Sequence, residues 1–212
     1  MASPFRVFGA LLLAVVATGV TVTTGVVLHS PADEEPATRP LPTRLDSIDT
    51  ATAVVRRGSF CDAVPPADAR AAVDDPSPEL STWSNGDQLG SGQDVSHEFG
   101  CSWTAGSGAV ASGWVFAPPV TVERAQELVA SAKSQPGCTA VPGAAAYGSP
   151  SIALTCTKDG TTTQSYRGLF GDAWLVCELS GPRGADTAAN ADTADTADRW
   201  CASVLTAAGP AD

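Results

Sequence analysis

Residues 151–179 read SIALTCTKDGTTTQSYRGLFGDAWLVCEL, which is three runs of strand-forming residues separated by two short polar turns. The turns are Lys158-Asp159-Gly160 and Gly171-Asp172, and aspartate beside glycine favours the positive φ angles of tight hairpins. We therefore predict a three-stranded antiparallel meander, with strands over 151–157, 161–169 and 173–179.

Further elements lie on both sides of the meander. The turn Gly106-Ser107-Gly108 predicts a hairpin between His97–Thr104 and Ala109–Ala117. Apolar residues at helical spacing predict a helix over Val122–Ser134, with Thr121 as its N-cap, and a closing helix over Asp192–Ala208. The predicted fold class is α+β: an antiparallel sheet, made of a hairpin plus a three-stranded meander, flanked by helices.

Six cysteines follow residue 60 and none precedes it: Cys61, Cys101, Cys138, Cys156, Cys177 and Cys201. Strand alternation places the cysteines of the predicted strands on the more apolar side, which we expect to face the core. An even number of cysteines without a C-x-x-C pair indicates disulfides in an oxidising compartment rather than a metal site. Six cysteines allow 15 pairings, and we favour the sequential set Cys61–Cys101, Cys138–Cys156 and Cys177–Cys201.

The N-terminal residues predict a membrane anchor. Val7–Leu28 is 22 residues long and uncharged, and a helix of that length spans roughly 33 Å, close to the thickness of a bilayer core. Arg6 before it and acidic residues after it orient the chain with its C-terminal part outside the cytoplasm. A cleaved signal peptide, which would give a secreted protein, is the alternative.

The predicted organisation has five parts. A cytoplasmic N-terminus covers 1–6, a transmembrane signal anchor 7–28, a tether rich in proline and acids 29–58, the extracytoplasmic α+β domain 59–208, and a tail 209–212. Residues 30–212 carry a formal charge of −12, which argues against nucleic acid as a partner because phosphate binding requires clustered Lys and Arg.

Catalytic and cofactor motifs give no assignment. We predict no catalytic residue, no metal ligand and no cofactor, because no nucleophile elbow, phosphate-binding loop, dinucleotide fingerprint or His-x-x-x-His pair occurs. His97, Glu98 and Asp94 are the clustered polar candidates for an enzyme. Asp192, Asp195 and Asp198 lie three residues apart and are interpreted as the polar face of the last helix, with an acidic docking strip as the alternative.

One tryptophan is a candidate binding residue. Trp83 lies in Asp74–Val95, a segment rich in Gly, Ser, Asp and Pro that is predicted to be a long loop. An exposed Trp there would act as an anchor for a glycan or a protein, whereas a Trp packed on the domain would be structural. The remaining tryptophans, Trp103, Trp114, Trp174 and Trp200, occur in predicted strands and helices and are expected in the core.

Four short motifs carry a family resemblance: Phe60-Cys61-Asp62-Ala63-Val64, Cys101-Ser102-Trp103, Val141-Pro142-Gly143-Ala144-Ala145 and Asp198-Arg199-Trp200-Cys201-Ala202-Ser203-Val204-Leu205. On them, residues 59–207 resemble secreted or membrane-tethered envelope domains of actinobacteria, many of them lipoproteins, and also the extracellular sensor domains of actinobacterial Ser/Thr kinases. The resemblance implies a disulfide-containing α+β domain without established enzymatic activity. The chain departs from the lipoproteins because no lipid-acceptor cysteine ends its apolar run.

These observations favour a noncatalytic, membrane-anchored extracytoplasmic binding or sensing domain of the cell envelope. Its partner would be an envelope protein or a wall component that the sequence does not identify. The alternatives are a cell-wall-acting hydrolase that uses His97, Glu98 and Asp94, and a structural subunit of a membrane complex.

The anchor and the disulfides predict the intact mass of the protein from its native membrane fraction. We expect a full-length chain, lighter than the reduced chain by about 6 Da, because three disulfides remove six hydrogens. Nonreducing mass spectrometry after thiol alkylation measures both properties. The mass of a shorter chain whose first residue lies near 20–30 would contradict the uncleaved anchor. Alkylated thiols would contradict the disulfides.

Overall fold

The computed structural model describes residues 43–91, 94–182 and 187–210. The predicted anchor, Val7–Leu28, lies outside these residues, so its conformation stays a prediction. Within the described ranges, no helix combines the length and the apolar character that a membrane span requires.

A seven-stranded antiparallel sheet organises the described residues, with the spatial order β1-β2-β3-β7-β6-β5-β4. The strands are β1 (Glu79–Trp83), β2 (Glu98–Thr104), β3 (Val110–Phe116), β4 (Cys138–Ala140), β5 (Ser151–Lys158), β6 (Thr161–Phe170) and β7 (Ala173–Pro182). The helices are α1 (Pro66–Val73), α2 (Val122–Lys133) and α3 (Thr187–Ala208), with 3₁₀ turns at Leu45–Ser47 and Cys61–Ala63. The predicted α+β class, hairpin and meander are confirmed.

Local turn chemistry explains the meander. Asp159 and Gly160 connect β5 to β6 with φ angles of 50° and 77°, and Gly171 begins the connection from β6 to β7 with a φ of 64°. Positive φ at both central positions matches the twist of the flanking strands, which is why Asp-Gly is a strong hairpin signal. The register of β6 and β7 follows, with Phe170 opposite Ala173.

The first face of the sheet, defined as the one that packs against α1 and α3, carries the main core. Trp200 of α3 is 2 % exposed, and its indole N–H donates to the carbonyl oxygen of Ser112 at 3.2 Å. Trp103 of β2 meets it edge to face, with ring centroids 5.2 Å apart. Gly113 lies beneath Val204, where a Cβ atom would come within 2.8 Å of a Val204 methyl. The helix therefore lies very close to the central strands.

The second face of the sheet packs against α2. The buried side chain of Ala125 packs in one cluster with Trp174 and Val176. Ala132 is buried in a separate small cluster. The Thr121 hydroxyl accepts the Arg124 N–H at 3.2 Å, which confirms the predicted N-cap.

The disulfides join the cysteines in sequential order, as favoured from the sequence. The pairs are Cys61–Cys101, Cys138–Cys156 and Cys177–Cys201, and all six cysteines lie within the described residues. The expectation that the strand cysteines face the core holds for Cys101 and Cys177, which are fully buried. Cys156 instead lies on the second face and is only partly buried.

The predicted loop over Asp74–Val95 is wrong in part, because Glu79–Trp83 forms the edge strand β1. Four residues of β1 are exposed, so the strand lacks the alternation of buried and exposed residues from which a strand is predicted. The three-residue edge strand β4 was not predicted either, and α3 begins at Thr187 rather than at Asp192.

Residues that precede the predicted start of the domain at 59 also pack on it. Leu45 is 1 % exposed and Val55 is buried, and the Arg56 N–H donates to the carbonyl oxygen of Ala208 at 2.9 Å. The compact unit accordingly extends into the range 29–58 that the sequence assigned to the tether.

The close approach of β6 to the loop before β5 generates a stability prediction. A Cβ atom on Gly168 would lie 1.5 Å from the carbonyl oxygen of Tyr147, whereas one on Gly181 of β7 would meet nothing closer than 3.8 Å. Gly168→Ala should lower the free energy of unfolding by about 3 kcal/mol, because backbone must move to admit the methyl group. Chemical denaturation measures this loss. Gly181→Ala is the matched control, and equal midpoints for the two variants would contradict the assigned packing.

Candidate binding cleft

A cleft of about 450 Å³ opens between α3 and the segment that follows β4. Its volume lies within the range of small-molecule sites. One side is a wall of small residues, and the other side and the rim carry charged groups. The lining residues are Arg44, Asp46, Val141, Pro142, Gly143, Ala144, Ala145, Tyr166, Ala194, Asp195 and Asp198.

A second, smaller cavity adjoins the cleft. It has a volume of about 210 Å³ and lies between α1 and α3, with Asp68, Arg199 and Trp200 among its lining residues. Asp195 lines both cavities. A group bound to this carboxylate could therefore be reached from either side of α3.

Asp195 is bound by two arginines. Arg199 Nε donates to Oδ2 of Asp195 at 2.8 Å, and Arg44 Nη1 donates to Oδ1. The hydrogen bond from Arg199, followed by the charges of both guanidinium groups, holds the pKa of Asp195 below its usual range. Asp195 is thus ionised and partly exposed at the rim of the cleft.

Asp198 is the buried carboxylate of the cleft. Its side chain is 7 % exposed, and Oδ2 accepts the backbone N–H of Leu45 at 3.1 Å. Arg44 Nε lies 3.7 Å from the same oxygen. Burial raises the pKa of Asp198, while the Leu45 N–H and the Arg44 charge oppose that rise.

Tyr166 supplies the hydroxyl group of the cleft. Burial, and then the negative charge of Asp198, raises the pKa of Tyr166 to about 12. Its phenol therefore stays protonated at neutral pH and can donate a hydrogen bond. Together, Tyr166, Arg44 and the carboxylates are the polar residues that line the cleft.

This cleft is not predictable from the sequence pattern alone. Asp195 and Asp198 were interpreted as the polar face of the last helix, yet Asp198 is buried and Arg44 reaches both carboxylates from about 150 residues away. The repeat of aspartate every third residue before Trp200 is the one sequence signal that pointed to this segment.

The structure places the predicted candidate Trp83 on β1, beside β2. A Cβ atom on Gly100 would lie 2.3 Å from the Trp83 ring, so the indole lies directly against that backbone. Its N–H donates to the Glu98 carboxylate. Burial raises the pKa of Glu98, and the Trp83 hydrogen bond and the His97 charge only partly offset that rise. Trp83 is half-buried, and its role as a binding anchor stays a prediction.

The enzyme candidates are only partly brought together. Glu98 is half-buried beside Trp83, whereas His97 and Asp94 are exposed. None of these three residues lines the cleft or the cavity that adjoins it. In the part of the chain that the structure describes, no group of three His, Cys, Asp or Glu side chains has a metal-binding arrangement.

Comparison with known proteins gives no family assignment, because no protein-family model and no curated protein matches the chain. Among solved structures, the chain is similar to the extracellular domain of PknH from Mycobacterium tuberculosis, with 13% identity and a TM-score of 0.39 over 73% of this chain and 97% of that chain. Protein CV1439 from Chromobacterium violaceum has 17% identity and a TM-score of 0.17 over 68% and 91% of the two chains. Both TM-scores are too low to transfer a role.

The two carboxylates of α3 should respond to pH with opposite signs. Because burial raises the folded pKa of Asp198, its contribution to stability is present at low pH and is lost as pH rises through that pKa. Because arginine lowers the folded pKa of Asp195, its contribution is present above the usual pKa and is lost as pH falls. From about pH 3 to pH 7, the stability of Asp198→Asn should therefore rise relative to the wild type, and that of Asp195→Asn should fall.

Urea denaturation of the wild type and of both variants at several pH values measures these differences. Each variant serves as the control for the other, since the two residues lie on the same helix and line the same cleft. Differences with the same slope against pH would show that the assigned environments are wrong.

Proposed function

We propose that the chain is a membrane-anchored, noncatalytic binding or sensing domain of the cell envelope, and that its ligand occupies the cleft beside α3. Three disulfides and no free cysteine indicate an extracytoplasmic location, where such bonds persist. The anchor, Val7–Leu28, is the sequence prediction. The cleft supplies a concave surface with convergent polar groups, as binding sites do.

The observation that carries this proposal is the position of Arg44. Arg44 lies within the predicted tether, and its guanidinium pairs with Asp195 and Asp198 in the cleft. The next residue, Leu45, is buried and donates its N–H to Asp198. The side chains that would contact a ligand are therefore the same ones that hold the membrane-proximal segment on the domain.

The charges of the cleft favour a ligand with an amino group. Three carboxylates, from Asp46, Asp195 and Asp198, line the cleft beside the Arg44 guanidinium, and Arg199 binds Asp195 from the adjoining cavity, so the carboxylates outnumber the guanidinium groups by one. An ammonium group can form charge-assisted hydrogen bonds with the partly exposed carboxylates of Asp46 and Asp195. Among wall components, peptides that bear free amines have this chemistry.

Ligand binding would act on the tether by competition. An amine bound to Asp195 takes a position now held by Arg44, so it favours the state in which Arg44 is released. The ligand can change the free-energy difference between the bound and released states of Arg44 by no more than the difference in its binding free energy to those two states. This mechanism needs no chemical reaction, and it makes the tether the element that reports occupancy.

The alternative functions gain less support from the structure. A hydrolase would need a placed base, and the predicted candidate His97 is exposed. The exposed large apolar side chains, such as Val54, Leu80 and Val122, lie on separate segments of the fold, which does not favour the broad apolar patch of a structural subunit.

Filling the cleft provides the test. Ala194 is exposed on α3 at the cleft, and Ala130 is exposed on α2 away from it. Ala194→Phe should weaken the binding of soluble muropeptides with free amino groups by at least about 10-fold, or about 1.4 kcal/mol, because the ring occupies the ligand's volume. Ala130→Phe should bind like the wild type. Calorimetric or NMR titration measures the affinities.

The ligand has its own matched control. Muropeptides whose amines have been acetylated should bind weakly to every variant, because they lose the positive charge that the carboxylates recognise. Equal binding by Ala194→Phe and Ala130→Phe would refute the cleft as the site. Equal binding of acetylated and free muropeptides, or no binding of either, would refute the amine as the recognised group.

A further inference from the structure

The disulfides differ in their exposure to solvent. Cys101, Cys177 and Cys201 are fully buried, and Cys61 is 6 % exposed. Cys138 and Cys156 are only partly buried and lie at the margin of a small cluster on the second face. Thiol–disulfide exchange requires direct approach of a thiolate to sulfur, so exposure separates this bond from the other two.

The surroundings of Cys156 form an approach for a thiolate. Cys156 lines a cavity of about 340 Å³ at the turn between β5 and β6, together with Lys158. The Lys158 ammonium favours an incoming anion and the thiolate that forms, while the Asp159 carboxylate, which lines the same cavity, opposes them. On the other side, Cys138 Sγ lies 3.8 Å from the exposed amide of Gln135.

The same bond holds the strand that leads into the cleft. β4 is an edge strand that pairs with β5 alone, and Cys138 lies opposite Cys156 in the register. Beyond β4, the Val141 N–H donates to the Ala153 carbonyl, and the wall of the cleft begins at Val141. With the crosslink open, the three-residue ladder and the flanking hydrogen bonds of Val141 and Gly137 to β5 would hold this end of the wall.

We infer that Cys138–Cys156 is a site of thiol–disulfide exchange with a dithiol, and that its opening loosens the wall of the cleft. One thiolate of the dithiol attacks Cys156 Sγ, the bond between the two protein sulfurs breaks, and Cys138 leaves as a thiolate. The second thiol of the dithiol then attacks the mixed disulfide and releases Cys156. Two electrons and two protons pass to the protein, and the dithiol becomes a disulfide. The effect on the cleft rests on the proposed function, whereas the exchange itself does not.

Differential alkylation tests the exchange. The full chain in detergent is treated with graded dithiothreitol or with reduced thioredoxin, labelled and mapped by mass spectrometry. Cys138 and Cys156 should be labelled at least about 10-fold faster than the other four cysteines, which serve as internal controls. Selective labelling with dithiothreitol but not with thioredoxin would restrict the exchange to small dithiols, and labelling with both would show that a protein dithiol also reaches the bond. Loss of all three bonds together, or no loss before unfolding, would overturn the inference.

Hydrogen exchange tests the consequence without reductant. The double variant Cys138→Ser/Cys156→Ser should exchange its amides over 139–145 at least about 10-fold faster than the wild type, and those of β7 at an unchanged rate. Unchanged exchange over 139–145 would overturn the coupling to the cleft. Neither experiment uses a muropeptide. If muropeptides do not bind the cleft, these two experiments still test the exchange and its effect on the wall.

Discussion

The contact of α3 with the centre of the sheet is the constraint on which the other features depend. Cys177–Cys201 joins this helix to β7, and the Trp200 indole donates to the Ser112 carbonyl of β3. The absence of a side chain at Gly113 admits Val204 to the sheet surface. These three contacts fix both the position and the rotation of α3. They therefore also fix where its preceding turns present Asp195 and Asp198.

The cleft follows from that placement. A carboxylate as buried as Asp198 must be matched by donors, and the Leu45 N–H and the Arg44 guanidinium supply them. The segment before the domain is thus held because α3 presents a buried charge that needs partners. Exposed ion pairs, such as that of Arg44 with Asp46, add little to stability, so the binding of this segment depends mainly on the burial of Leu45 and on the two donors that reach the buried Asp198, the Leu45 N–H and the Arg44 guanidinium.

Sequence information was sufficient where structure is local. Asp159-Gly160 determines a hairpin by its own φ preferences, and alternation along the strands correctly places Cys101 and Cys177 against the core. It was insufficient for β1 and β4, because edge strands are defined by pairing and not by burial. The cleft combines segments near residues 44, 143 and 195, and no pattern along the chain brings these together.

Chain entropy does not explain why one disulfide lies near the surface. The sequence separations are 40, 18 and 24 residues, so loop-closure contributions to stability differ by only about 0.7 kcal/mol across the set. What differs is the pair of elements joined. Two bonds attach a 3₁₀ turn and a helix to the sheet, which backbone hydrogen bonding cannot do. The Cys138–Cys156 bond joins strands that already share a ladder. It is therefore the crosslink whose loss leaves the layers of the fold in place and affects the edge beside the cleft.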